Sequence, residues 1–78
     1  MFIEIITPDT KIFSGEVILV QLPGTNGSFE ILKNHAPIIS TLAKGKIKII
    51  DAEKKTSYFE INSGVIEVQR NKIIILAE

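Results

Sequence analysis

The stretch Val65-Ile66-Glu67-Val68-Gln69-Arg70-Asn71-Lys72-Ile73-Ile74-Ile75-Leu76-Ala77 decides the fold class. Two runs of β-branched residues flank Arg70-Asn71. Asn tolerates a positive φ, so this pair reads as the tight connection of a β-hairpin. The composition of the whole chain agrees. It holds sixteen Ile, four Val and five Thr against five Leu and four Ala. Branched side chains are stiff at χ1 and suit a pleated surface. No segment sustains a helical period.

Outward from the hairpin the pattern repeats. Residues 2–7 alternate and end at Pro8, and Thr7-Pro8-Asp9-Thr10 reads as a turn. Lys11-Ile12-Phe13 is expected as a short strand stopped by Ser14-Gly15. Residues 16–22 form a strong strand followed by Pro23-Gly24. Residues 28–32 are a short extended piece, and Ala36 is pushed to the extended region by Pro37. Residues 38–42 are another strand, ended by Ala43-Lys44-Gly45. Residues 46–51 and 56–62 pair across a polar turn at 51–55, and Ser63-Gly64 turns the chain into the last hairpin. About eight to ten short strands at this spacing predict an all-β flattened barrel or sandwich of two packed, mostly antiparallel sheets. With 78 residues the chain is read as one domain, 1–78.

Composition removes several function classes. Nine basic residues balance nine acidic ones, whereas a nucleic-acid binder needs a basic surface. No apolar run approaches the length of a membrane span. There is no cysteine and one histidine, so neither a disulfide nor a thiolate or histidine-cluster metal site is available. A domain this small buries only about 60% of the surface its unfolded chain exposes. Its stability must come from the core or from docking onto a partner. Val17-Ile18-Leu19-Val20 and Ile73-Ile74-Ile75-Leu76 are apolar on both faces of a strand. One face of each lies outside a two-layer sandwich, so it is either covered locally or a partner surface. Phe2, Ile6, Leu22, Ile38 and Ile39 are expected to extend such a patch.

Catalytic chemistry is poorly supplied. His35 sits in a loop before Ala36-Pro37 and is expected to bond its own backbone or lie at a contact surface. The carboxylates Glu4, Glu16, Glu30, Asp51, Glu53, Glu60 and Glu67 fall on alternate strand positions or in turns, as on a solvated face. Gly24-Thr25-Asn26-Gly27 lacks the GK[ST] ending and the following helix of a phosphate loop. Lys44, Lys46 and Lys48 form a basic stripe without interleaved aromatics, which suits an outward strand face. Glu53-Lys54-Lys55 lies at a hairpin tip but lacks the flanking motifs of biotinyl and lipoyl domains. No catalytic residue, cofactor or metal ligand is expected.

The order of signals along the chain resembles one family. These are Ile6-Thr7-Pro8, Phe13-Ser14-Gly15-Glu16-Val17, Leu22-Pro23-Gly24 with Gly27, His35-Ala36-Pro37, Leu42 with Gly45, Ser63-Gly64-Val65-Ile66-Glu67-Val68, and the run from Lys72 to Leu76 before Ala77-Glu78. Together they are similar to the N-terminal β-sandwich domain of the epsilon subunit of F-type ATP synthase, called delta in mitochondria. The resemblance implies a non-catalytic rotor subunit without cofactor. It implies binding to the gamma subunit and to the polar loops of the c-ring, with the catalytic alpha/beta head touched only indirectly. It also implies a peripheral position on the cytoplasmic face of a bacterial membrane.

By position, the resemblance places Thr7, His35, Pro37, Ile38, Ile39 and Leu42 on the gamma-facing surface. It places Gly24, Thr25, Asn26, Gly27, Ser28, Phe29, Glu30 and Ile31 on the loop that approaches the ring. Two departures stand out. Ser28 occupies a position where many members carry a ring-facing Glu, with Glu30 two residues on. Asn34 replaces the usual glycine before the histidine. The family commonly continues with a helical hairpin that in many bacteria binds ATP or inhibits hydrolysis. A short form ending at Glu78 is expected to lack that regulation. The competing expectation is a stand-alone β-sandwich that binds a small ligand or peptide in a concave pocket.

Overall fold

The computed structural model describes residues 1–78 and contains strands and turns only. In chain order the strands are β1 (Phe2–Ile6), β2 (Lys11–Gly24), β3 (Gly27–Leu32), β4 (Ile38–Leu42), β5 (Gly45–Asp51), β6 (Thr56–Ile61), β7 (Gly64–Gln69) and β8 (Lys72–Ala77). Hydrogen bonding runs in the order β1-β8-β7-β4-β2-β5-β6, with β3 on the other side of β2. β1 also pairs the first part of β2, so the path β1-β8-β7-β4-β2 closes on itself. Pairing is antiparallel except between β1 and β8, which run parallel.

One expectation fails at β2. Lys11-Ile12-Phe13 and residues 16–22 are not separate strands; they belong to one strand of 14 residues that also includes Pro23 and Gly24. Ser14 and Gly15 do not interrupt it, because β1 supplies partners there: Glu4 faces Ser14 and Ile3 faces Gly15. A straight strand of this length would span about 43 Å, whereas the longest Cα dimension of the molecule is 27 Å. β2 must therefore bend. The register with β5 shifts between Val17 and Leu19, which places a bulge at Ile18, and bulges bend and twist a strand. Residues 11–16 pair β1, whereas residues 17–24 pair β5, β3 and the end of β4. One strand thus serves both layers of a flattened barrel of 27 × 24 × 17 Å.

The connections follow their side chains. Thr7 N–H donates to the Thr10 carbonyl at 2.8 Å, and its hydroxyl donates to the same carbonyl at 3.0 Å. Asp51 Oδ1 accepts from the N–H groups of Glu53 and Lys55, both at 2.9 Å, and Lys54 takes φ 65°. Arg70 and Asn71 adopt φ 45° and 62°, the left-handed pair of a two-residue hairpin.

Inward positions alternate along the strands, except at the β2 bulge, where the buried Val17 and Val20 are three residues apart. All fifteen buried residues are apolar and form one cluster. Nine are isoleucine: Ile3, Ile5, Ile31, Ile47, Ile49, Ile61, Ile66, Ile73 and Ile75. Phe13 of β2 and Phe59 of β6 pack against this cluster with ring centroids 5.5 Å apart and planes tilted by 57°. On the outer surface Glu4 Oε2 meets Lys11 Nζ at 2.6 Å, with Lys72 Nζ 3.9 Å from Oε1. The hydrogen bond from Lys11 holds the Glu4 carboxyl below its ordinary value, with attraction from Lys11 and Lys72 adding to it.

Two outcomes are expected. Ile75 is fully buried and Ile74 lies on the opposite face. Ile75→Ala should cost about 2–5 kcal/mol in urea unfolding, and Ile75→Asp should abolish the β circular-dichroism signal. Ile74→Asp should keep that signal. A folded-state pKa below the unfolded value adds stability above the unfolded pKa and loses it as pH falls through the folded one. Glu4→Gln should therefore flatten the loss of stability on acidification below about pH 4.3. Unfolding midpoints measured across that range check this.

Candidate functional site

The outer face of the β4-β7-β8-β1 layer is the feature that a solitary domain does not need. Strand register sets its layout. Thr41, Val65, Leu76 and Ile6 form one cross-strand row. Ile39, Glu67, Ile74 and Glu4 form the next. Ile39 is 74% exposed, Leu76 54% and Val65 41%. The carboxylates of Glu67 and Glu4 interrupt the second row, and Lys72 and Lys11 border it. The result is an apolar band with a charged margin, the make-up of a partner surface.

The band runs into an open cleft of about 600 Å³ at the C-terminal ends of β1 and β8. Ile6, Thr7, Pro8, Leu42, Val65 and Leu76 contribute to its wall. Thr41, Ser63 and Glu78 also line it. The hydroxyl of Thr7 is committed to its own turn. No group of three or more His, Asp or Glu side chains is arranged to hold a metal.

The expected gamma-facing residues share this layer but do not form one cluster. Ile39 is the most exposed member and sits within the band. Thr7 lies at the cleft end. His35 and Pro37 lie toward the start of β4, where Ile38 faces Val68. Leu42 is 3% exposed and Ile38 is half-buried against the core, because alternation turns both inward. Leu42 contributes its edge to the cleft and is otherwise a core residue. Leu22, expected to extend the patch, is 1% exposed for the same reason, whereas Phe2 and Ile6 are half-buried. Val65 was not singled out from sequence. Its signal was the adjacent pair Val65-Ile66, which must place one apolar side chain on each face.

His35 is fixed within its loop. Its N–H donates to the Leu32 carbonyl at 3.1 Å, and Nδ1–H donates to the Ala36 carbonyl at 2.7 Å. A carbonyl only accepts, so that nitrogen carries the proton. Asn34 takes φ 67°, the geometry a glycine would adopt freely, and its N–H donates to Asn71 Oδ1 at 3.0 Å. The loop after β3 is thereby tied to the β7–β8 hairpin.

The expected ring-facing residues form the β2–β3 hairpin. Thr25 and Asn26 connect Gly24 to Gly27, which adopts φ 125°. Thr25, Asn26, Gly27, Ser28 and Glu30 are exposed, and Ser28 Oγ accepts from Gln21 Nε2 at 3.3 Å. Phe29 is half-buried and Ile31 wholly buried. Ile31 is therefore an anchor of this hairpin and not part of its contact surface. The hairpin tip also touches the end of β4. The Thr25 and Thr41 hydroxyls lie 3.1 Å apart, and Ala43 N–H donates to the Pro23 carbonyl at 2.7 Å. Gly24 is forced by crowding, since a Cβ there would sit 2.6 Å from the Gly27 carbonyl and 2.8 Å from the Phe29 ring. Gly45 is crowded likewise by Pro23, at 2.8 Å.

Comparison with known proteins identifies the fold. Residues 1–78 match the family described as ATP synthase, Delta/Epsilon chain, beta-sandwich domain. The chain belongs to this family. It is 42% identical over 76 residues to the ATP synthase epsilon chain of Chlorobium limicola, covering 97% of this chain and 86% of that one. The epsilon chain of Campylobacter concisus is 42% identical over 78 residues, and here the chain spans 60% of the relative's length. The fold also superposes on a chain in the Euglena gracilis mitochondrial ATP synthase structure of OSCP, F1 and c-ring. The TM-score is 0.90 at 19% identity, covering 96% of this chain and 48% of that one. A chain of the Tetrahymena thermophila mitochondrial central stalk and c-ring gives 0.83 at 17% identity, covering 99% and 62%. The domain is a subunit type and not an enzyme in its own right. No helix is long and apolar enough to cross a membrane.

The crowding at the hairpin yields a prediction. Gly24→Ala must displace backbone and should cost about 1–3 kcal/mol. Gly27→Ala meets open space but a strained φ and should cost about 1 kcal/mol. Chemical denaturation of the two variants should rank them in that order.

Proposed function

We propose that this chain is a central-stalk subunit of an F-type ATP synthase that docks on the gamma subunit through the outer face of β4, β7, β8 and β1. The observation that carries the reading is the apolar band of Ile39, Val65, Ile74 and Leu76 on a face that the fold leaves uncovered. Family membership supplies the context, since the relatives are named as epsilon chains and the similar solved chains come from synthase stalk and ring assemblies. A rotor part must transmit torque without slipping. Contact through apolar side chains rooted in a continuous sheet suits that task, because the same strands that carry the band also carry the core. The Thr25-Asn26 hairpin tip is the segment we place toward the ring. Its attachment to Thr41 joins it to the docking layer, so force on the tip reaches that layer through hydrogen-bonded backbone. The subunit is then peripheral to the membrane, on the cytoplasmic face of a bacterial cell, and acts by coupling ring rotation to gamma.

The cleft beside Thr7 and Pro8 favours a ligand-binding alternative at first sight. Its wall, however, shares Ile6, Val65 and Leu76 with the band, which makes it an extension of the docking surface.

The test is co-purification with the gamma subunit of the same organism. Val65→Asp and Leu76→Asp should keep the circular-dichroism spectrum and weaken binding at least about tenfold each. Tyr58→Asp, on the opposite layer, should bind as the parent does. Unchanged binding by both band variants, or loss confined to Tyr58→Asp, would overturn the assignment.

A further inference from the structure

We infer that Asn26 is a site of spontaneous chemical modification in the folded chain, converting from amide to acid at the tip of the β2–β3 hairpin. The chain has four asparagines, at 26, 34, 62 and 71. Only Asn26 is followed by glycine. The reaction begins when the backbone nitrogen of the next residue attacks the Asn side-chain carbonyl carbon. A Cβ on that residue hinders the approach, and Gly27 has none. A Cβ built at Gly27 would have no heavy atom within 4 Å, so the surroundings are open as well. Both residues are exposed at a loop tip, where local opening of the chain is easiest.

The other three asparagines lack this combination. Asn71 Oδ1 accepts from Asn34 N–H at 3.0 Å, and the two side chains meet at 3.5 Å, so both are held. They precede His35 and Lys72. Asn62 precedes Ser63, whose Cβ hinders the approach of its nitrogen. Asn26 makes no side-chain hydrogen bond that would fix its carboxamide.

The step balances without an oxidant or reductant. The Gly27 amide proton passes to solvent base. A bond forms from Gly27 N to Asn26 Cγ, and the Cγ–NH2 bond breaks with loss of ammonia. Water then opens the five-membered imide at either carbonyl. The net change is asparagine plus water to acid plus ammonia. One opening yields aspartate and the other isoaspartate, which routes the main chain through the side-chain carbon. Either places a new carboxylate on the hairpin tip. The isoaspartate also lengthens a connection of two residues, closed at Gly24 without room for even a Cβ.

The experiment uses the free 78-residue chain, so its result is independent of the rotor reading. The folded protein is incubated at mildly alkaline pH and sampled for peptide mass mapping. Conversion at Asn26 should be at least about tenfold faster than at Asn34, Asn62 or Asn71, a barrier difference of roughly 1.4 kcal/mol. Methyltransferase labelling should find isoaspartate at position 26. Asn26→Gln should remove the signal while leaving the circular-dichroism spectrum intact. An Asn26 that stays intact in the folded chain but converts in urea would overturn the proposal, since the hairpin would then protect it. So would conversion at equal rates at all four positions.

Discussion

The structure depends on one strand that belongs to both layers. β2 pairs β1 through residues 11–16, then bends at the Val17–Leu19 bulge and pairs β5 and β3. Without the bend a strand of 14 residues does not fit inside the molecule. With it, two layers share one covalent and hydrogen-bonded spine. A domain of 78 residues without disulfide or metal gains its rigidity from this continuity as well as from its core.

The core is built almost entirely from one side-chain type. Nine of the fifteen buried residues are isoleucine, and none of the fifteen is polar. Branched side chains with few rotamers lose little entropy on packing and fill the space between layers without polar atoms to satisfy. The interior therefore holds no chemistry. What remains for function is outside, and the outside is unusual in where it places its apolar side chains. Ile39, Val65 and Leu76 lie on one layer, and Ile18, Leu32 and Tyr58 are exposed elsewhere on the chain. Val65 and Leu76 of the first set lie on β7 and β8, each hydrogen-bonded on both sides, and Ile39 lies on the neighbouring β4. A surface mounted on paired strands resists shear better than one mounted on a loop, in keeping with the proposed docking role.

The turns show how local chemistry and neighbouring strands divide the labour. Thr7 and Asp51 close their own turns with side-chain bonds, so their geometry is legible from the residues alone. The loop carrying His35 is different. Asn34 accepts a left-handed φ because its N–H finds Asn71, 37 residues away in sequence. That pairing unites the loop with the last hairpin and leaves His35 with a backbone partner and no acidic one.

From the residues alone came the all-β class, the positions of most strands, the Arg70-Asn71 hairpin and the presence of strands with two apolar faces. These follow from period-2 alternation, branched side chains and turn residues, all of which act within a few bonds. The tertiary structure decided that Ser14-Gly15 does not end a strand, because β1 lies opposite and supplies hydrogen bonds that local propensity cannot foresee. It decided that β1 and β8 run parallel, since their pairing joins the two ends of the chain. It also decided which apolar side chains face out. Leu22, Ile31 and Leu42 went to the core while Val65 and Leu76 stayed outside. A shift of one residue in register reverses every side chain of a strand, and register is set by partners distant in sequence.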